Sequence, residues 1–246
     1  MTAFLAKLGS FGLFVSSVAR ASVTNPPPVT RTIEEAYRIG VQSLPILLIV
    51  SVFVGTNLAV QGSNAFAQLG GQSMVGTFVA LAGVREMAPI MVSSMVAAKA
   101  GTEMASQIAV MRIQEQIDAL EVMAIDPYWF LVTPRMLGIL LVLPALTMIS
   151  VAAMLLSAWG VAVWQLGLNG SDFIAQCAQT THGSDLFFGV IKAFVFAVII
   201  CLVSCFYGYT SPKGAKGVGE ATNAAVVVSA VVCAVLNYLL SELLYG

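Results

Sequence analysis

Arg85 and Glu86 stand alone in a long uncharged sequence: Ile39–Val84 carries no charge, and the next charged residue is Lys99. Charged side chains at membrane depth are expensive, so those retained are functional by default. Neighbours on a helix of 3.6 residues per turn point about 100° apart, so the two cannot simply face each other. One is expected to border a cavity while the other meets a second helix; a purely structural staple is the competing reading. Lys192 is a third such charge, inside the apolar run Leu186–Tyr207. It either snorkels to the membrane surface or partners Glu86.

Catalysis has no constellation to use. His182 is the sole histidine, with Asp185 nearby and no nucleophile arranged around them. Cys177, Cys201, Cys205 and Cys233 form no C-x-x-C pair, and structural metal sites want four Cys or His ligands. No metal is expected, and the cysteines read as small hydrophobes. A phosphate-binding loop G-x-x-x-x-G-K-[ST] is missing too. The nearest stretch, GAKGVGEAT at Gly214–Thr222, follows Lys216 with Gly217 instead of Ser or Thr. It reads as a flexible glycine-rich loop feeding a helix, with Glu220 or Thr222 near the cap.

The segment Gln107–Asp126, QIAVMRIQEQIDALEVMAID, has a helical period. Ile113, Ile117, Leu120 and Met123 or Ala124 recur on one face, while Arg112, Glu115, Asp118 and Glu121 step by three along the other. Asp126-Pro127 ends this helix, and Thr133-Pro134 supplies a cap and first position for the next. Such an acidic face is either simply solvated or a docking surface for a protein. A helix lying on anionic lipid would be rich in Lys and Arg instead.

The elements that position these residues follow from composition. Of 246 residues, 59% are hydrophobic and 9% charged, with a net charge of −1. Soluble domains carry about 25% charge, and nothing here suggests a nucleic-acid partner. At about 20 apolar residues per span, five spans are expected near Val41–Val60, Ser73–Ala98, Pro134–Trp159, Leu186–Tyr207 and Ala221–Leu240. The polar segment Gln61–Gln72 separates the first two. Leu8–Ala19, between Lys7 and Arg20, is too short to span. It is an interfacial helix or, with Ala19–Ala21 as the cleavage site, a signal peptide. Asn25–Pro28 breaks the chain after it, dividing 1–32, an interfacial helix and Pro-rich connector, from a five-span domain over 33–246. Gly76, Gly83, Ala97, Ala98, Gly101 and Ala105 would let helices pack closely.

Basic residues set the orientation. Lys7, Arg20, Arg31, Arg38, Lys99, Arg112, Arg135, Lys213 and Lys216 all fall on one side of this arrangement, while Gln61–Gln72 and 160–185 contain no Lys or Arg. The positive-inside rule then places the N-terminus in the cytoplasm and the C-terminus outside. Five spans with no visible internal repeat leave two kinds of carrier, an ATP-driven permease or a secondary transporter of a hydrophobic small molecule.

REMAPI at Arg85–Ile90, MRIQEQIDALEVMAIDP at Met111–Pro127, Pro134-Arg135 and GVGEATNAAVV at Gly217–Val227 together resemble the MlaE/YrbE family. These are permeases of MCE-associated ABC lipid transporters in bacteria, with plastid relatives. The resemblance covers roughly residues 30–245. It implies an all-α integral membrane protein: five transmembrane helices after an N-terminal interfacial elbow helix, and a cytoplasmic coupling helix between spans two and three. It further implies a homodimer, each copy bound by a cytoplasmic ABC ATPase, beneath an MCE-domain lipid-binding protein on the outer side. ATP and Mg would sit on the ATPase, leaving this chain without cofactor or catalysis. The setting implied is the bacterial inner membrane, with a periplasmic C-terminus, or the plastid inner envelope.

The same resemblance assigns residues. Arg112, Glu115, Gln116, Asp118 and Glu121 fall on the coupling segment as ATPase contacts. Leu58, Gln61, Phe66, Arg85 and Glu86 fall on a cavity for phospholipid or a related lipid. Lys192 sits where relatives can carry a lysine, as an intramembrane pair or a head-group contact. A lipid phosphate is the anion such a cavity would offer Arg85, whose guanidinium grips phosphate bidentately. Departures lie at Ala98-Lys99-Ala100-Gly101, where relatives often read A-G-R-x-G, and at Ser106-Gln107-Ile108-Ala109, where many have A-E-L-G.

Overall fold

The computed structural model describes residues 2–24, 28–67 and 74–245. Asn25, Pro26 and Pro27 of the expected break, and residues 68–72 of the expected first outer loop, lie outside that set. The described secondary structure is helical: α1 (Thr2–Thr24), α2 (Val29–Ala67), α3 (Val75–Ile113), α4 (Gln116–Val122), α5 (Tyr128–Trp164), α6 (Gly170–Thr180), α7 (Gly183–Tyr209) and α8 (Ala215–Tyr245). Five of these, α2, α3, α5, α7 and α8, are long and apolar enough to cross a membrane. That is the expected number, with a further helix ahead of them.

The helices run past the apolar windows that identify them. At 1.5 Å per residue, the 39 residues of α2 and of α3 reach about 58 Å, roughly twice a ~30 Å hydrocarbon core. Polar Gln61–Ala67 continues α2 instead of forming a loop. Its amide groups find partners along the helix, as where Gln61 Nε2 donates to Asn57 Oδ1 one turn back. α5 starts at Tyr128 and not at Pro134, because Asp126 Oδ1 accepts the Tyr128 N–H at 2.9 Å with Pro127 in the first turn. Within 160–185, read as a plain loop, α6 forms behind Asn169, whose side chain accepts the Ser171 N–H at 3.2 Å. α8 begins at Ala215, so the GVG of the glycine-rich stretch lies inside a helix and only Gly214 takes a left-handed turn there, at φ 109°. Thr222 Oγ1 donates back to the Val218 carbonyl at 3.0 Å and caps nothing.

The chain divides into two compact units. The first comprises residues 1–41, 96–142 and 196–232. Phe14 meets Tyr128 and Phe206 edge-on with ring centres 5.6 Å away in each case, tying α1 to the starts and ends of longer helices. At Gly208 an added Cβ would lie 2.7 Å from the Ala105 carbonyl oxygen, so α7 and α3 touch backbone to backbone, as small residues permit in membranes. Ala97 and Ala105 are buried in the same way, whereas Ala98 is exposed. The second unit comprises 42–95, 143–195 and 233–246. It packs two apolar clusters, one around Ala59, Val79, Ala158 and Phe173, the other around Val84, Ala88, Val151 and Met154.

Candidate functional site

In the second unit α3 widens into π-type turns over Val79–Met87, a local rewinding frequent at functional positions. Arg85 and Glu86 sit in this stretch. Pro89, four residues after Arg85, has no N–H to offer the Arg85 carbonyl. Lys192 of α7 donates to that oxygen at 2.9 Å instead. Its side chain has no exposed surface, which overturns the snorkelling reading. Nζ also lies 3.3 Å from Glu86 Oε1 and 2.7 Å from Ser241 Oγ. The other Glu86 oxygen accepts from Asn237 Nδ2 at 2.8 Å and Ser241 Oγ at 2.9 Å.

Arg85 engages a different helix from its neighbour. Its Nε lies 3.0 Å from Asp185 Oδ1 and its Nη2 donates to Oδ2 at 3.2 Å, a two-pronged grip on one carboxylate. Asp185 is buried, and Oδ2 also accepts the His182 N–H at 2.9 Å. The Tyr245 ring lies 4.9 Å from the Arg85 guanidinium and 5.1 Å from Lys192 Nζ, within cation–π range. A cavity of about 290 Å³ opens beside the cluster, bordered by Leu81, Arg85, Glu86, Tyr238 and Ser241. The arrangement holds two ion pairs in an apolar setting, each with further hydrogen-bond partners, at the edge of space that a polar group could enter.

The structure brings Arg85, Glu86 and Lys192 together and leaves the other expected cavity residues elsewhere in this unit. Leu58 packs into both apolar clusters. Gln61 is exposed and bonded to Asn57. Phe66 stands edge-on to Phe78, 6.1 Å between ring centres. Sequence reasoning missed Asp185, Asn237, Ser241 and Tyr245. Asn237 and Ser241, one turn apart in the mostly apolar second half of α8, were the available signal.

In the first unit, the helix expected over Gln107–Asp126 is broken. α3 ends at Ile113, Glu115 turns left-handed at φ 58°, and α4 follows. α4 closes in a Schellman turn: the Ile125 N–H bonds the Leu120 carbonyl and the Ala124 N–H that of Glu121, both at 3.0 Å. Ala124, at φ 58°, occupies the position where glycine is usual. The expected apolar face therefore stops early. Ile117 and Leu120 are buried, while Val122 is 88% and Met123 60% exposed.

The charged stripe is divided by the same turn and matched within the chain. Glu115 Oε1 accepts from Lys213 Nζ at 2.8 Å, Asp118 Oδ1 lies 3.4 Å from Arg112 Nη1, and Tyr209 Oη donates to Glu121 Oε1 at 3.4 Å. Gln116 Nε2 donates to Gln114 Oε1 at 2.8 Å. The Lys213 hydrogen bond first, and its charge second, hold the Glu115 carboxyl below its usual value, and Glu115 pushes Lys213 up in return. What this region offers a partner is a short helix with exposed Val122 and Met123 beside locally balanced charges.

Five apolar helices long enough to span, with ion pairs set inside them, define a multi-pass membrane protein. A family model described as Permease MlaE matches residues 32–243, and the chain belongs to that family. It is 37% identical over 98% of its length to a probable ABC transporter permease protein of Rickettsia conorii, covering 93% of that protein. A probable ABC transporter permease protein of Synechocystis is 34% identical over 87% of the chain and 81% of its own length. The chloroplastic protein TRIGALACTOSYLDIACYLGLYCEROL 1 of Arabidopsis thaliana is 33% identical over 87% of the chain and 61% of its own length. Membership decides between the two carriers left open by the sequence: the chain is an ABC transporter permease, a non-catalytic membrane subunit that implies a separate ATPase.

Proposed function

We propose that this permease moves phospholipids or related lipids between membranes, driven by ATP hydrolysed on a separate subunit. The observation that carries the reading is the family match over nearly the whole chain, joined by a relative named after a galactolipid. The paired charges bordering the 290 Å³ cavity support it, since an amphipathic cargo needs polar partners within an apolar wall. Two copies of the chain form the membrane unit, with an MCE-domain lipid-binding protein on the outer face. The ATPase holds ATP and Mg and docks on α4 and its flanking turns, using Arg112, Glu115, Gln116, Asp118 and Glu121. The bacterial inner membrane is the proposed location, with the basic loops in the cytoplasm.

Reconstitution tests this. Liposomes holding the permease and its ATPase should pass a fluorescent phospholipid to acceptor MCE protein only when ATP is hydrolysed. Transfer that proceeds equally without the ATPase, or no transfer of any lipid class, would overturn the assignment.

A further inference from the structure

The first unit holds a second charged cavity, of about 350 Å³, lined by Arg31, Glu34, Glu35 and Arg38 of α2 and by Phe130 and Arg135 of α5. Its depth follows from the sequence. Arg38 immediately precedes the charge-free run from Ile39, and Arg135 the one from Met136. The cavity therefore lies where hydrocarbon gives way to head groups.

Its charges are unevenly matched. Arg38 bonds Glu35, and its Nε lies 3.2 Å from Glu103 Oε1 and its Nη2 3.1 Å from Gln107 Oε1. Arg135, only 5% exposed, donates from Nη2 to Gln107 Oε1 at 3.0 Å and has Nε 3.5 Å from Glu35 Oε1. Its Nη1 is buried with no hydrogen-bond partner, a costly state for a guanidinium N–H. Arg31 lies over the Phe130 ring at 3.7 Å and enters no ion pair among the described residues. Glu34 likewise has no cation among them.

The cavity thus presents one guanidinium, that of Arg31, and one carboxylate, that of Glu34, neither of them in an ion pair among the described residues. A simple anion would meet repulsion from Glu34, and a simple cation would meet it from the arginines. A zwitterion carrying a phosphodiester and an ammonium a few bonds apart satisfies both, while Leu131 and Pro134 of the same lining offer apolar contact to its glycerol end. We propose that this cavity binds the head group of phosphatidylethanolamine from the surrounding bilayer. The phosphodiester takes Arg31 in charge-assisted hydrogen bonds, and the ammonium takes Glu34. The site uses none of the residues of the Arg85–Glu86 cavity, and its occupancy does not depend on which lipid is transported.

Native mass spectrometry of the full-length chain with equimolar phosphatidylethanolamine and phosphatidylglycerol of identical acyl chains tests the proposal. The ethanolamine lipid should dominate by about tenfold, roughly the worth of one hydrogen bond to a charged group. Glu34→Gln, at an exposed position, should bring the ratio close to one by letting the glycerol lipid in. Arg31→Gln should lower occupancy by both lipids while helix content stays unchanged. Equal occupancy in the unaltered chain, or a preference that survives Glu34→Gln, overturns the assignment. Glycerophosphoethanolamine, which has the head group and no acyl chains, should fail to displace the lipid at equal concentration. Displacement by it would reassign the cavity to a soluble phosphate ester.

Discussion

Lys192 Nζ lies 2.9 Å from the carbonyl oxygen of Arg85, so an ammonium takes the place that Pro89 denies to the helix backbone. The same nitrogen pairs with Glu86, and one buried side chain thus joins α7 to both the backbone and the carboxylate of α3.

Lys192→Met should therefore destabilise the protein by about 2–3 kcal/mol, below the range for a fully buried pair because Glu86 is 36% exposed. Glu86→Gln should cost at least as much: with its oxygen held by Asn237 and Ser241, the amide NH2 would face the buried Lys192 ammonium and leave that charge unpaired. The double variant should lose less than the sum of the singles. Unfolding followed in detergent by circular dichroism gives all three values, and strict additivity would mean that the two residues are not coupled.

Asp185 uses both its oxygens on the Arg85 fork, so Arg85→Ala and Asp185→Asn should lower the melting temperature to a similar extent. Arg85→Lys should restore only part of it, having the charge without the planar fork. Bound phospholipid measured on the same preparations separates the alternatives. A normal melting temperature with lipid lost from Arg85→Ala would assign the guanidinium to a lipid phosphate instead.

The sequence disclosed the number of spans because charge-free runs of sufficient length are a one-dimensional property. It also singled out Arg85, Glu86 and Lys192, since a charge in such a run is conspicuous. Their pairing was not legible in full. Asp185 is 100 residues from Arg85, and only packing of α7 against α3 reveals that they meet. The break at Glu115 was hidden for a different reason. Neither Glu115 nor Ala124 is a glycine, so the left-handed positions on either side of α4 carry no turn signal, and the helical period of the sequence runs straight through them.

The positive-inside rule applied to the nine basic residues outside the apolar windows predicts a cytoplasmic N-terminus and an outer C-terminus. A phosphatase fused after the C-terminus should be active in the periplasm, and a green fluorescent protein fused there should stay dark. The reverse pattern would require one of α2, α3, α5, α7 and α8 to stop short of crossing.

Glu115 and Lys213 form an exposed pair at 2.8 Å on the surface proposed to receive the ATPase. The folded pKa of Glu115 lies below its ordinary value, so its contribution is present above the carboxylate range and fades as pH falls through the lowered value. That of Lys213 lies above its ordinary value, so its contribution is full below the usual lysine range and fades as pH rises through the raised one. Between these limits the pair is intact. At mildly alkaline pH, acylation of Lys213 should therefore be slower than that of Lys216, whose Glu220 partner is 3.7 Å away. Glu115→Gln should speed Lys213 by about two- to threefold, the scale of a surface ion pair, and added salt should shrink the difference. Reversing both Glu115 and Asp118 to Lys should go further and release the ATPase on co-purification, while the permease stays inserted, because charge mismatch at an interface weakens docking more than folding. Peptide-resolved mass spectrometry reads the acylation rates, and the yield of co-purified ATPase reads the docking. Acylation indifferent to Glu115→Gln would mean the contact does not persist in solution. Full ATPase recovery with the double reversal would leave α4 as a merely solvated connector.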